Sequence, residues 1–450
     1  MLLNFTFNTL LSSLYRVCFI ILFSCYFLVG CSVKNAITEL FAERGFSNSL
    51  AFIDDNTQAT QDKLLDSIPT KFVGYIGAPI YGPKVRRDRF FSFAVHEAEL
   101  ASIAVTADGL GVYSADEAGN VFYSKIVEGS SLKLQSRLLM STASKINMLA
   151  LSADERFMAV CLADKIVLAD LLNKKVVAEL SQISGRVTAL SWSKGNEYLA
   201  IGQTGRIILW KIFENEEFIA PQASNAGSLE TYKGGITPII GVHFYSTGKI
   251  MFSADSGGFL NVKRLLKTER EMGFLGRNEK NMPIEIDTKN VNIDTGTALE
   301  DFVYDEVNNE LITASNNGSV LWWKIRGLVP IKMLDIGGHS VKNVVLLSKY
   351  NEKTQQSENY FATSSSDNIV KLWYADGEFS EVASKNSIKK LPKVTKLSRT
   401  MRFISNEKSL YFQSDVFDEP ISEVGSARGN QYLWLGQKSG KIIVAPIGGA

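Results

Sequence analysis

Residues 361–373 read FATSSSDNIVKLW, and the fold is decided by how this stretch is read. Phe361-Ala362-Thr363 runs into three serines, Asp367-Asn368 makes a tight polar turn, and Ile369-Val370-Lys371-Leu372-Trp373 leads out again. Short apolar, β-branched and aromatic runs on either side of an Asx turn predict two antiparallel strands. The same unit recurs along the chain: an alternating strand, a tight polar turn, a second strand, a Gly or Asp turn, and a third strand ending in aromatic plus basic residues. It spans 103–126, 149–171, 189–212, 241–265, 301–325, 359–375 and 425–447.

The turn between second and third strands falls at Gly119, Lys165, Gly205, Gly258, Gly318, Asn368 and Gly440, at intervals of 46, 40, 53, 60, 50 and 72 residues. Self-similarity at about 40–50 residues, with four short strands per unit, predicts an all-β propeller. Seven blades are expected. Residues 400–415, TMRFISNEKSLYFQSD, leave an eight-bladed alternative open as an extra hairpin. The last unit ends at Ile447 after its third strand, while Lys71–Ile76 (KFVGYI) has no partner of its own. Pairing the two would close the ring and remove an exposed sheet edge. The propeller is therefore placed at 70–447.

The sixth unit resembles the WD40 repeat family. Gly338-His339 opens it, residues 361–373 follow the family pattern position by position, and Gly338 and Trp373 are 35 residues apart. The resemblance implies a blade-locking hydrogen-bond network of His339, Thr363 or Ser365, Asp367 and Trp373, structural in purpose, because a buried Asp must be paired and a buried indole N–H needs an acceptor. Trp373 is followed by Tyr374 where the family usually has Asp. Other units keep a Trp (Trp210, Trp322) or lose it, and none repeats the Gly-His pair.

Composition supports a folded chain. The 450 residues are 45% hydrophobic and 21% charged, with 34 Gly and 10 Pro, which excludes disordered, collagen-like and multi-span membrane classes. With 48 basic and 47 acidic residues the formal charge is +1, so no global field argues for nucleic acid.

The N-terminus stands apart. Arg16 is the sole charge in the first thirty residues, and Val17–Gly30 (VCFIILFSCYFLVG) is a fourteen-residue, mostly apolar run. A spanning helix needs about 20 apolar residues, so this length suits a signal-peptide core over 1–30. Leu28-Val29-Gly30-Cys31-Ser32 resembles the bacterial lipoprotein processing box. That resemblance implies cleavage before Cys31, diacylglycerol on its sulfur and a palmitate-type acyl chain on its new amine. Each buried methylene contributes about 0.8 kcal/mol, and several chains together anchor stably. An uncleaved signal-anchor helix is the alternative, and both readings put the body across the membrane from Arg16. Ser32, not Asp, after the cysteine resembles outer-membrane sorting. Residues 31–69 read as a tether holding one short amphipathic helix.

Processing removes Cys18 and Cys25, and lipid occupies Cys31, so no internal disulfide is expected; Cys161 within FMAVCLA reads as a buried apolar residue. Lys385, Lys389, Lys390, Lys393, Lys396, Arg399 and Arg402 lie in one stretch without an acid. Joined by Lys84, Arg86, Arg87 and Arg89, they would make a patch for lipid headgroups or an acidic partner; the alternative is a solvated loop.

Motifs for catalysis are missing: no GxxxxGK[ST], HExxH, paired CxxC or GxSxG occurs. His96, His243 and His339 are scattered, and Asn290, Asn292, Asp294 and Asp301 echo a calcium loop at the wrong spacing. No catalytic residue, metal or cofactor is expected. The expected function is a non-catalytic, membrane-tethered protein-binding scaffold in a bacterial cell-envelope assembly, with protein partners and no nucleic acid. The rival is an enzyme using the central channel, such as a quinone-dependent dehydrogenase or a lyase.

Overall fold

The structure is a computed structural model that describes residues 50–53, 71–76, 90–127, 132–181, 183–214, 217–218, 229–245, 248, 250–265, 291–325, 327–351, 356–375, 379–380, 402–404, 409–414, 416–426 and 432–447. The chain divides into two units, Met1–Ala51 and Phe52–Ala450. The expected signal peptide, Cys31, most of the tether and all of the basic stretch except Arg402 lie outside the described residues. Among the described residues, no helix is long and apolar enough to cross a membrane.

The second unit is all-β. Its strands form six sheets of four to six strands and one two-stranded hairpin, Phe213–Glu214 with Glu217–Phe218. The first two repeat units are antiparallel meanders: Leu100–Val105, Gly111–Asp116, Asn120–Val127 and Lys133–Ser141, then Ile146–Leu151, Phe157–Leu162, Lys165–Asp170 and Lys175–Ser181. Second strands are buried end to end, as in Phe157–Leu162 and Tyr432–Gln437. A strand covered on both faces by its neighbours reads as a continuous apolar run, whereas outer strands such as Lys175–Ser181 mix exposed and buried positions.

Six sheets correct the expectation of seven separate ones. Units three and four share a strand: Leu229–Phe244 pairs with Tyr198–Lys211 through its first half and with Ile250–Asp255 through its second. Sixteen residues run on without a turn to part them, so the last strand of one unit becomes the first of the next. The eight-blade alternative fails for a related reason. Arg402–Ile404 and Leu410–Gln413 do not form a hairpin: the first adds parallel to Val329–Asp335 of unit five, and the second pairs with Val370–Tyr374 of unit six.

The expected closing strand is corrected too. Phe90–Ala94, not Lys71–Ile76, pairs with the terminal strand, with Phe91 opposite Val444 and Phe93 opposite Ile442. Lys71–Ile76 adds outside it, with Phe72 opposite Phe93. FFSFA buries Phe90 and Phe93 almost completely, so apolar burial favours it at the inner position. The last sheet packs on the first: Trp434 Nε1 donates to Gly109 O at 2.9 Å, and Trp434, Ile442 and Val444 share a cluster with Phe93, Leu100, Val112 and Ile126.

The repeat is plainest in the first strands. Each carries a register shift two residues in, at Leu100/Ser102, Ile146/Met148, Val187/Ala189, Ile239/Gly241, Leu299/Asp301, Val341/Asn343 and Ile421/Glu423. A bulge bends the strand and re-aims the residues beyond it. First strands of successive units touch one another, and Ile421–Ser426 touches Leu100–Val105.

Candidate functional site

The junctions between units are built from the turn between second and third strands. Gly119, Gly258, Gly318 and Gly440 hold φ of 92°, 103°, 82° and 84°, the left-handed region open to glycine. Each carbonyl accepts the N–H of the residue that enters the next unit: Thr142, Thr295, Ile336 and His96, at 2.8, 2.8, 2.9 and 3.1 Å. At Gly318 a Cβ would run into the carbonyl of Gly337, so the close approach itself demands glycine.

His96 uses that position to lock a unit. Its Nδ1–H donates to Asp116 Oδ2 at 3.0 Å, its Nε2 meets Ser114 Oγ at 2.8 Å, and its ring stands edge-on to Phe122 at 4.8 Å. Asp116 Oδ1 accepts Asn120 N at 2.9 Å. Desolvation alone would raise the Asp116 carboxyl; the hydrogen bonds from His96 and Asn120 outweigh it and hold the group below its ordinary value.

The sixth unit distributes its residues differently. Trp373 and Thr363 are each 1% exposed, and Trp373 Nε1 donates to Thr363 Oγ1 at 3.0 Å. Ser365 Oγ donates to Asp367 Oδ1, and Asp367 caps the turn by accepting Ile369 N at 3.3 Å. His339 is exposed and stands outside this group, three residues beyond Ile336, whose N–H bonds the Gly318 carbonyl as that of His96 bonds the Gly440 carbonyl. The structure thus brings Thr363 and Trp373 together, pairs Ser365 with Asp367, and leaves His339 apart. Trp323 and Thr313 repeat the indole bond in unit five at 3.0 Å. The His96 lock was absent from the sequence reading, although its signal was there: Ser-x-Asp at 114–116 with a histidine eighteen and twenty residues upstream. Thr363→Val keeps the shape but leaves a buried indole N–H without an acceptor. It should cost about 1–2 kcal/mol, measured by urea unfolding against wild type.

Just past the bulges, two first strands carry acids. Asp301 Oδ2 accepts Val344 N at 2.9 Å and Oδ1 accepts Phe302 N at 2.8 Å, yet burial pushes its carboxyl up to about 7. Burial, reinforced by the charge of Asp301, pushes Glu423 up to about 8. His243 Nε2–H donates to Phe302 O at 3.1 Å, and burial lowers its basicity. Above Asp301, Glu300 Oε1 accepts Ser340 Oγ at 3.0 Å and Lys342 Nζ at 2.8 Å.

The remaining candidates are quickly placed. Burial raises the Cys161 thiol to about 12, so it is un-ionised at neutral pH. Arg402 is exposed at the start of the strand that joins unit five. Between units two and three lies a pocket of about 440 Å³ lined by Asp154, Arg156, Phe157, Asn196, Glu197 and Phe213. Its arginine is committed: Arg156 pairs with Asp170 at 3.2 Å and lies over the Phe157 ring at 4.9 Å.

No family model matches the chain, and no curated protein matches it. The chain is similar in structure to the RRP9 WD40 repeats, a crystal structure that it matches with a TM-score of 0.53 and 13% identity over 82% of this chain and 99% of that one. The fold is a WD40-like all-β propeller.

Proposed function

We propose that this propeller is a non-catalytic scaffold that holds protein partners on its faces and loops, tethered by lipid on Cys31 to a bacterial membrane within a cell-envelope assembly. The observation that carries it is the set of hydrogen bonds that join neighbouring units. The N–H groups of Thr142, Thr295, Ile336 and His96 tie successive units through turn carbonyls, and Leu149 N and Val344 N reach Ser102 and Asp301 of the preceding units. Such a body holds its loops in fixed relation, which suits a platform whose affinity comes from preorganised surface.

The tether rests on Val17–Gly30 and Cys31. Ser32 favours the outer membrane, and the basic stretch from Lys385 to Arg402 is a surface for anionic headgroups or an acidic partner. The acids of the first strands favour a second reading, chemistry in the central channel. Their displaced ionisation follows from burial, however, and burial alone is a structural cause. A cofactor absorption spectrum from purified protein would favour the channel enzyme.

Cys31→Ser should move the protein from the membrane to the soluble fraction, and the wild-type mature chain should begin at Cys31 and carry the added mass of its acyl chains. A wild-type chain of unprocessed mass, or a Cys31→Ser protein that stays on the membrane, would sink the lipid tether. Crosslinking in intact cells, followed by identification of co-purified proteins, tests the scaffold.

A further inference from the structure

Ser253, Asp255 and Asn261 of the fourth unit are 1%, 0% and 5% exposed, and Ser253 Oγ, Asp255 Oδ2 and Asn261 Nδ2 have no hydrogen-bond partner among the described residues. Ser253 lies opposite Asn261 across the strand pair, and Asp255 follows two residues on along the same face. An amide donor, a carboxylate acceptor and a hydroxyl that can act as either therefore share one face of the sheet without bonding one another. Buried polar atoms are almost always satisfied, and an unpaired buried carboxylate oxygen is costly.

The first unit contains the same arrangement with a group in its middle. Asp116 lies opposite Leu100 as Asp255 lies opposite Ile239. Asp116 Oδ1 accepts Asn120 N at 2.9 Å as Asp255 Oδ1 accepts Phe259 N at 3.0 Å. Ser114 matches Ser253, and Phe122 matches Asn261. In unit one, His96 bridges Ser114 and Asp116. It lies four residues before Leu100. Four residues before Ile239 stands Gly235, which has no side chain. The register is secured by Glu117 N donating to Glu99 O and Ser256 N to Pro238 O. Gly235 adjoins Ile236, which is 90% exposed.

We infer that Ser253, Asp255 and Asn261 form a binding site for a small imidazole-type guest, a planar ring with nitrogens in 1,3 relation. One N–H of the guest donates to Asp255 Oδ2 and the second nitrogen meets Ser253 Oγ, as His96 does with Asp116 and Ser114. The Asn261 amide stands at the ring edge, where Phe122 stands in unit one. The site is independent of the scaffold reading and of the lipid tether.

Free imidazole and pyrazole, equal in size but with adjacent nitrogens in pyrazole, are compared by thermal melting of the full-length protein at pH 8. Imidazole should raise Tm by about 1–2 °C at saturation and pyrazole should not. Gly235→His should melt above Gly235→Ala and lose the response to imidazole, because its own ring fills the site. Equal effects of the two azoles, or a Gly235→His protein that melts no higher than Gly235→Ala and still responds, would overturn the inference. Should Gly235→His fail to fold, Ser253→Ala decides: loss of the imidazole response supports the site, and an unchanged response refutes it.

Discussion

Trp373→Ala should destabilise the protein by on the order of 3–5 kcal/mol, the usual cost of removing a fully buried aromatic side chain. Trp373 is 1% exposed, lies parallel to Phe361 at 6.1 Å and belongs to a cluster with Trp322, Leu334 and Ile404, so its removal opens a cavity between units five and six. Trp373→Phe separates the two contributions, because phenylalanine keeps the stack on Phe361 while the bond to Thr363 Oγ1 is lost. Urea unfolding of both variants should rank wild type above Phe and Phe above Ala. A loss below about 1 kcal/mol for the alanine variant would place this side chain at a surface, not in a core.

Glu423→Gln should act in the opposite direction and raise stability at neutral pH. Glu423 is pushed up from 4.5 to about 8, first by burial and then by the Asp301 charge. Below the unfolded value the carboxyl is protonated in both states and folding gains or loses nothing from it. As pH rises through 4.5 towards 8, the folded protein keeps a proton that the unfolded chain releases, and stability falls by about 1.4 kcal/mol per pH unit. By pH 7 the loss reaches about 3 kcal/mol, which a glutamine never incurs. The wild-type and Glu423→Gln unfolding curves should therefore converge below pH 4.5 and separate steadily up to pH 8. Curves that remain parallel across this range would mean that Glu423 is freely solvated. Asp301, pushed up to about 7, adds a slope of the same sign in both proteins.

The His96 and His339 positions show why the candidate site was only half legible. Gly338-His339 carries the family-like motif, yet its histidine is exposed, while His96, preceded by Val95, makes the buried bridge. What decides is the distance of a residue from the turn carbonyl of the preceding unit, and that carbonyl lies far away in sequence, at Gly440 for His96. Likewise nothing local to their short strands marks Asp301 and Glu423 as buried. Their burial depends on the bulges at Leu299/Asp301 and Ile421/Glu423 and on the neighbouring first strands.

Strands and turns are local, and the amino-acid order alone determined them. Period-two alternation and Asx turns need nothing beyond a few neighbouring residues to take effect. Which strands share a sheet was decided only by tertiary structure. Phe90–Ala94 displaced Lys71–Ile76 beside the last strand, Leu229–Phe244 served two units, and 402–404 parted from 410–413, because a strand edge bonds to whichever partner also buries its side chains. That partner can lie more than three hundred residues away, as Val444 does from Phe91.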